Sequence, residues 1–274
     1  MHAYTIAGDA RHFQPTKSKS AKKKKRPTTL KDIEDQGLFP SVTEYCRVLS
    51  APGLEEWKMQ KVVEACFEDT PSAGEDLSNY KQRILKKSEE ESSDAANLGT
   101  KIHASIESYL TNQETWNGNE AFIMPDGTQT EAWEFVLPVV SKLNDLGIVT
   151  EQSERVVVNP PYGYAGTVDL IGKREGDIST IVDFKSKKTK VGVLVEAQET
   201  HPMQIAAYMA AYLKNDWIQL AEGYNIYIST TEIGRVEHVH YTHDQLMEAW
   251  RAFKHCLSLW EWRTGYSAAV GRAK

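Results

Sequence analysis

Cysteine is scarce in this sequence and never clustered. Cys46, Cys66 and Cys256 are the only three. With no Cys-x-x-Cys pair, a structural zinc site or an iron–sulfur cluster is excluded, and a reducing compartment is expected. Long apolar runs are also missing. No stretch approaches the ~20 residues a membrane span requires, and no apolar signal segment stands near Met1. A phosphate-cradling Gly-x-x-x-x-Gly-Lys-Ser/Thr run is absent, so the chain carries no nucleotide-driven motor of that type. Nor is there an internal repeat.

What is present is ordinary in bulk and uneven in charge. The 274 residues are 41% hydrophobic and 26% charged, as expected of a folded globular chain with one or two domains. The net charge is −6, yet residues 1–26 hold eight Lys/Arg against one Asp, which leaves the remainder at −13. Residues 1–27 therefore read as a disordered basic tail that repels itself and attracts anionic polymers. It is unlike an Arg-rich, acid-poor import presequence, and the expected location is the cytoplasm of a bacterial or phage-infected cell.

Periodicity divides the rest of the chain. Residues 28–92 read as a helical N-terminal region, with a helix after Pro40-Ser41, another from Gly53 to Phe67, a break at Pro71–Gly74, and a charged helix over 75–91. Residues 93–274 read as one core. A helix over 94–111 carries Leu98, Ile102, Ile106, Tyr109 and Leu110 on one stripe, and a second helix covers 130–147. Strands follow over 153–158, 163–172 and 179–186. A helix over 201–214 has Pro202 in its first turn, where a missing N–H is harmless. Strands over 222–230 and 235–241 and a helix over 243–264 close the pattern. A mixed central sheet flanked by helices, of class α/β, is predicted.

Two of these strands carry the chemistry. Gly166-Thr167-Val168-Asp169 and Asp183-Phe184-Lys185 each place an acid in an apolar run, where a carboxylate is costly unless paired. Asp183 and Lys185 share a strand face, and Phe184 points away. An odd-length hairpin loop centred on Gly176 puts Asp169 opposite Asp183; a two-residue loop puts the two acids on opposite faces. Facing carboxylates repel unless a divalent cation sits between them, and Mg²⁺ or Mn²⁺ suits such a pair. The alternative is an exposed strand face with ordinary charges. Lys185, Lys187, Lys188 and Lys190 supply a local basic path. Three further features flank the pair: Gly99-Thr100-Lys101-Ile102-His103 with Glu107 one turn later, Glu154 at the head of a strand, and Gln204 with Tyr208 four residues on.

In this order the motifs resemble the PD-(D/E)xK nuclease superfamily, and within it the RecB-like branch that includes phage exonucleases and the mitochondrial genome maintenance exonuclease. The resemblance covers about residues 94–230 and extends weakly to Phe39-Pro40-Ser41-Val42-Thr43. It implies a restriction-endonuclease-like core. It also implies a metal held by Asp169, Asp183, the Phe184 backbone carbonyl and His103, with Lys185 orienting the attacking water and Gln204 positioning Lys185 or a phosphate. Tyr208 supports Gln204, and Glu107 and Glu154 are supporting or second-metal residues. Ser41, Thr43, Tyr164, Lys187 and Lys188 are candidates for nucleic-acid contact, and Tyr45, Trp57, Trp116 and Tyr162 are further candidates for base stacking.

The activity so implied is metal-dependent DNA hydrolysis, most simply an exonuclease on single-stranded DNA or DNA ends, with any helicase or recombination partner a separate chain. Two alternatives stay open: an inactive nucleic-acid-binding module of the same fold, and a nuclease acting on RNA or structured duplex DNA.

Overall fold

The computed structural model describes residues 1–16, 24–49, 52–124, 126–214 and 221–269. Two compact units divide the chain, one made of Met1–Leu49 with Pro138–Lys274 and the other of Ser50–Leu137. Among the described residues no helix is long and apolar enough to cross a membrane.

The first unit begins with small pieces: β1 (Ala3–Tyr4), β2 (Phe13–Pro15), β3 (Lys25–Pro27), α1 (Leu30–Gln36), β4 (Phe39–Pro40) and α2 (Val42–Cys46). Each helix has a local cause. Thr29 and Asp32 close a capping box at the start of α1, and Gly37 ends it in the left-handed conformation at φ 60°. Ser41 caps α2 by accepting from the Glu44 N–H.

The second unit holds α3 (Pro52–Glu68), α4 (Leu77–Thr111), β5 (Ala121–Ile123) and β6 (Gln129–Glu131), and it takes in the start of α5 (Trp133–Asp145). Asp76 caps the 35-residue α4 by accepting from the Ser78 and Asn79 N–H groups. The stripe Leu98, Ile102 and Ile106 is buried.

The chain then returns to the first unit for β7 (Val149–Asn159), β8 (Tyr164–Arg174), β9 (Ile178–Lys187), α6 (Thr200–Leu213), β10 (Ala221–Ser229), β11 (Val236–Tyr241) and α7 (His243–Thr264). These five strands form one mixed sheet in the order β11-β10-β9-β8-β7. All neighbours run antiparallel except β9 and β10, which are parallel because α6 carries the chain from one to the other. α6 is apolar around most of its surface (Ile205, Ala206, Ala207 and Met209 are fully buried), and it packs in the main core with α2, α7 and the sheet.

The β8–β9 hairpin closes through residues 175–177, with Gly176 at φ 81° and Asp177 at φ 60°. Its register runs from Arg174↔Ile178 to Leu170↔Val182. The odd loop centred on Gly176 is therefore the one the chain adopts.

Several sequence expectations change. The segment expected to be a disordered tail over 1–27 holds three strands, and Ala3 and Tyr4 are buried. β1 pairs with β4, the terminal amine donates to the Thr28 carbonyl at 2.7 Å, and the Tyr4 and Thr167 hydroxyls bond at 3.0 Å. Charge counting missed these because the Lys cluster dominates that stretch; residues 17–23 lie outside the described residues. A boundary at 92/93 falls inside α4, which runs unbroken through it. Residues 130–131 of the expected helix over 130–147 instead belong to β6, which pairs with 121–123 as a hairpin. Glu154 lies inside β7 rather than at its head.

Replacing Tyr4 with Ala removes a buried ring and its bond to Thr167. A loss of about 3 kcal/mol is expected, read as a lowered urea midpoint of the first unit; an unchanged midpoint would show that the N-terminal strand is not part of the core.

Candidate active site

The ladder between β8 and β9 stops at Leu170↔Val182. One step further along the same register, Asp169 faces Asp183. There the Asp169 carboxylate, in place of a backbone carbonyl, accepts from the Phe184 N–H at 2.7 Å. Asp183 is 2% exposed. Its Oδ2 is paired with the Lys185 ammonium and accepts from Asn225 Nδ2 at 2.8 Å. Lys185 Nζ also donates to Gln204 Oε1 at 3.3 Å, and Gln204 Nε2 donates to the Tyr208 hydroxyl at 2.9 Å. The sheet thus presents acid, acid and lysine as one set, held from α6 by a glutamine and a tyrosine.

Asp169 keeps one partly exposed side while protein surrounds the rest of it. Desolvation first, then the facing charge of Asp183, pushes its pKa well above the usual carboxylate range; Lys185 and the Phe184 N–H pull the other way. Glu154 adds to the upward push. Ser153↔Leu170 and Arg155↔Val168 bracket Glu154 opposite Asp169 on the neighbouring strand. Its backbone is left-handed at φ 50°, a conformation that is rare for a residue inside a strand.

The glycine of Gly166-Thr167-Val168-Asp169 has a steric reason. A Cβ there would stand 2.5 Å from Cε1 of Tyr208, the residue that holds Gln204. The small residue on β8 lets α6 come close enough for Gln204 to reach Lys185.

Asn225 escaped the sequence reading, although a polar residue inside Tyr224-Asn225-Ile226-Tyr227-Ile228 was a signal for it. It pairs in register with Asp183 across β9–β10 and is fully buried. Its Oδ1 accepts from the Tyr241 hydroxyl at 2.9 Å, so its amide is fixed with the donor toward Asp183. Beside it the Tyr227 hydroxyl meets His201 Nδ1 at 2.8 Å. Burial, then Lys185, lowers the His201 pKa to about 4, so this imidazole is neutral at ordinary pH.

Other predicted residues take different places. Tyr164 is fully buried: its hydroxyl donates to the Ala207 carbonyl at 2.8 Å and its ring packs on Phe253, so it is a core residue and cannot stack a base. Tyr45 is likewise core, its hydroxyl donating to the Gly163 carbonyl at 2.7 Å. Ser41 is buried and its hydroxyl is committed to the α2 cap, which corrects its assignment to nucleic-acid contact; its backbone bridges to Ala165 at the start of β8. Thr43 is exposed. Lys187 lies on the strand face of Asp183 and Lys185, with Nζ donating to the Glu196 carbonyl at 3.0 Å, and Lys188 is exposed. His103 and Glu107 belong to the second unit, four residues apart and half-buried on α4. Trp116 is in that unit too, edge-on to Tyr109, and Trp57 is partly buried on α3.

A mixed five-stranded sheet flanked by helices, with the paired acids and lysine on its central hairpin, is a restriction-endonuclease-like fold. Residues 77–271 match the family model of the PD-(D/E)XK nuclease superfamily, and the chain belongs to that superfamily. No curated protein matches the chain. Among solved structures it is similar to a candidate exonuclease from Eubacterium rectale, at 12% identity over 61% of this chain and 68% of that one, with a TM-score of 0.39. It is also similar to the protein SSO0001, at 15% identity over 78% of this chain and 93% of that one, with a TM-score of 0.29. The chain is a nuclease by family, and its substrate is nucleic acid.

Nucleases of this superfamily typically use divalent metal. Among the described residues no group of three or more His, Cys, Asp and Glu converges. The oxygen donors on the central hairpin nonetheless suit a hard cation: two facing carboxylates whose shared negative charge burial penalises, beside a backbone carbonyl at Phe184.

Gly166→Ala should force Tyr208 aside and loosen Gln204. About 1–3 kcal/mol of stability is expected to be lost through overpacking, measured by chemical denaturation. Wild-type stability in that variant would mean that α6 has room to spare at this contact.

Proposed function

We propose that the chain is a metal-dependent deoxyribonuclease, acting as an exonuclease on single-stranded DNA or DNA ends with Mg²⁺ or Mn²⁺. The observation that carries the hydrolytic part is the facing of Asp169 and Asp183 with Lys185 on the same strand face. The DNA and end-dependent parts rest on the order of the sequence motifs and their resemblance to exonucleases of the RecB-like branch.

Asp169, Asp183 and the Phe184 carbonyl would hold the cation. When bound, it acidifies a water and neutralises phosphate oxygens. The protein's own groups do the rest. Lys185 places a positive charge where the scissile phosphate gains negative charge, and it orients the attacking water. Gln204 fixes the direction of the ammonium, and Tyr208 fixes Gln204. Asn225 holds Asp183 Oδ2 in place. A bond forms from the water oxygen to phosphorus as the bond to the leaving strand breaks, and a proton passes to the departing oxygen. The resemblance to the RecB-like branch makes His103 a candidate further ligand, with Glu107 and Glu154 as candidate supporting residues. Lys187 and Lys188 extend the positive charge along the substrate strand.

The purified chain, given Mn²⁺ or Mg²⁺, should degrade linear single-stranded DNA in a panel that also holds duplex, flapped and circular DNA and RNA. Chelation should abolish cleavage. Asp183→Ala and Lys185→Ala should each lower kcat by about 10²–10³-fold, and His103→Ala should raise the metal concentration required. Retained activity in the first two variants would sink the assigned site. Equal cleavage of circular and linear DNA would remove the end-dependent part.

A further inference from the structure

The first unit holds a groove of about 500 Å³, apart from the acid pair, between the end of β7 with the turn that follows it, the C-terminal end of α6 and the middle of α7. Its lining includes Pro161, Tyr162, Lys214, Trp250, Arg251 and Lys254. The volume suits one nucleotide unit or a similar organic group. Among the described residues no carboxylate lines it, although the chain as a whole carries a net charge of −6. Lys214 and Arg251 are exposed, and Lys254 lies over the Trp250 ring at 5.7 Å. Tyr162 is partly exposed and packs edge-on against Trp250, with ring centroids 5.0 Å apart.

We infer that this groove is a second contact for the nucleic-acid strand, in which a base rests against Tyr162 and the prolines while Lys214, Arg251 and Lys254 receive the neighbouring phosphates. The inference rests on the nuclease function proposed above and deepens it. Charge selects the occupant: a cluster of cations at an aromatic wall complements a polyanion with flat bases. Distance gives the contact its use. Gln204 and Ala211, which lines the groove, stand seven residues apart along α6, about 10 Å at 1.5 Å per residue. A strand seated in the groove is therefore held away from the bond to be cut. Such a contact acts on substrate affinity, and the hydrolytic step does not depend on it.

The test compares the wild-type chain with Lys214→Ala/Arg251→Ala/Lys254→Ala and with Tyr162→Ala. The substrates are a single-stranded oligonucleotide of about 20 residues and a dinucleotide too short to span both places. The triple variant should raise KM for the oligonucleotide at least tenfold, with kcat on the dinucleotide unchanged. On an Asp183→Ala background, which binds without cutting, its plot of log affinity against log salt should be shallower by about 2, the slope expected from three lost phosphate contacts. Tyr162→Ala should raise KM by roughly 5- to 100-fold, as for loss of one stacked base. Unchanged KM and salt slope in the triple variant, beside an active wild type, would overturn the groove and leave the nuclease function standing. A wild type that cleaves neither substrate removes the function and the groove with it. A mononucleotide that binds the wild-type groove as tightly as the oligonucleotide does, and is lost in the triple variant, would overturn the strand as occupant.

Discussion

The site depends on a turn of three residues. Residues 175–177 close the β8–β9 hairpin with two successive backbones in the left-handed region, at Gly176 and Asp177. Glycine takes that conformation at no steric cost, and Asp is among the side chains that tolerate it. A loop one residue shorter would turn every side chain of one strand to the other face. Asp169 and Asp183 would then part company, and Lys185 would lose its place beside them.

Around that register the structure supplies restraint from two directions. Within the sheet, Asn225 clamps Asp183, and Tyr241 clamps Asn225 in turn. From the helix layer, Tyr208 steadies Gln204, which reaches Lys185. The charged groups are therefore locked by neutral hydrogen-bonding partners, which orient them without adding charge to a poorly solvated place. The strained backbone of Glu154 sits at the same level of the sheet, on the strand beside Asp169. Strain of this kind concentrates where geometry serves a purpose other than stability.

Much of this was legible in the amino-acid sequence, and the reasons are local. Apolar runs marked all five strands of the large sheet, and the expected ranges for α6 and α7 held within a residue or so. The acid pair showed itself because a carboxylate in an apolar run is conspicuous. Asn225 did not, because its meaning lies in a partner 42 residues away. Tyr164 misled for the converse reason: an aromatic near the site looks the same in sequence whether it faces solvent or the core, and only packing against Phe253 and Trp250 decides. The short strands near Met1 were hidden by the Lys-rich run, and their pairing partners are remote as well. His103 and Glu107 remain where the sequence put them, on one face of a helix.

The first unit is assembled from two separated stretches, 1–49 and 138–274, with the second unit between them. On a ribosome this arrangement imposes an order in time. Tyr4 is made early but must wait for Thr167, 163 positions later, before its hydroxyl has its partner. At usual rates of translation that wait is roughly 8–30 s. The intervening segment has all its own residues in hand much sooner. Asn225 comes later still than Thr167, so Asp183 lacks its amide partner until residue 225 has been made. A nascent chain of this design cannot hold Asp183 in its final place before β10 is made.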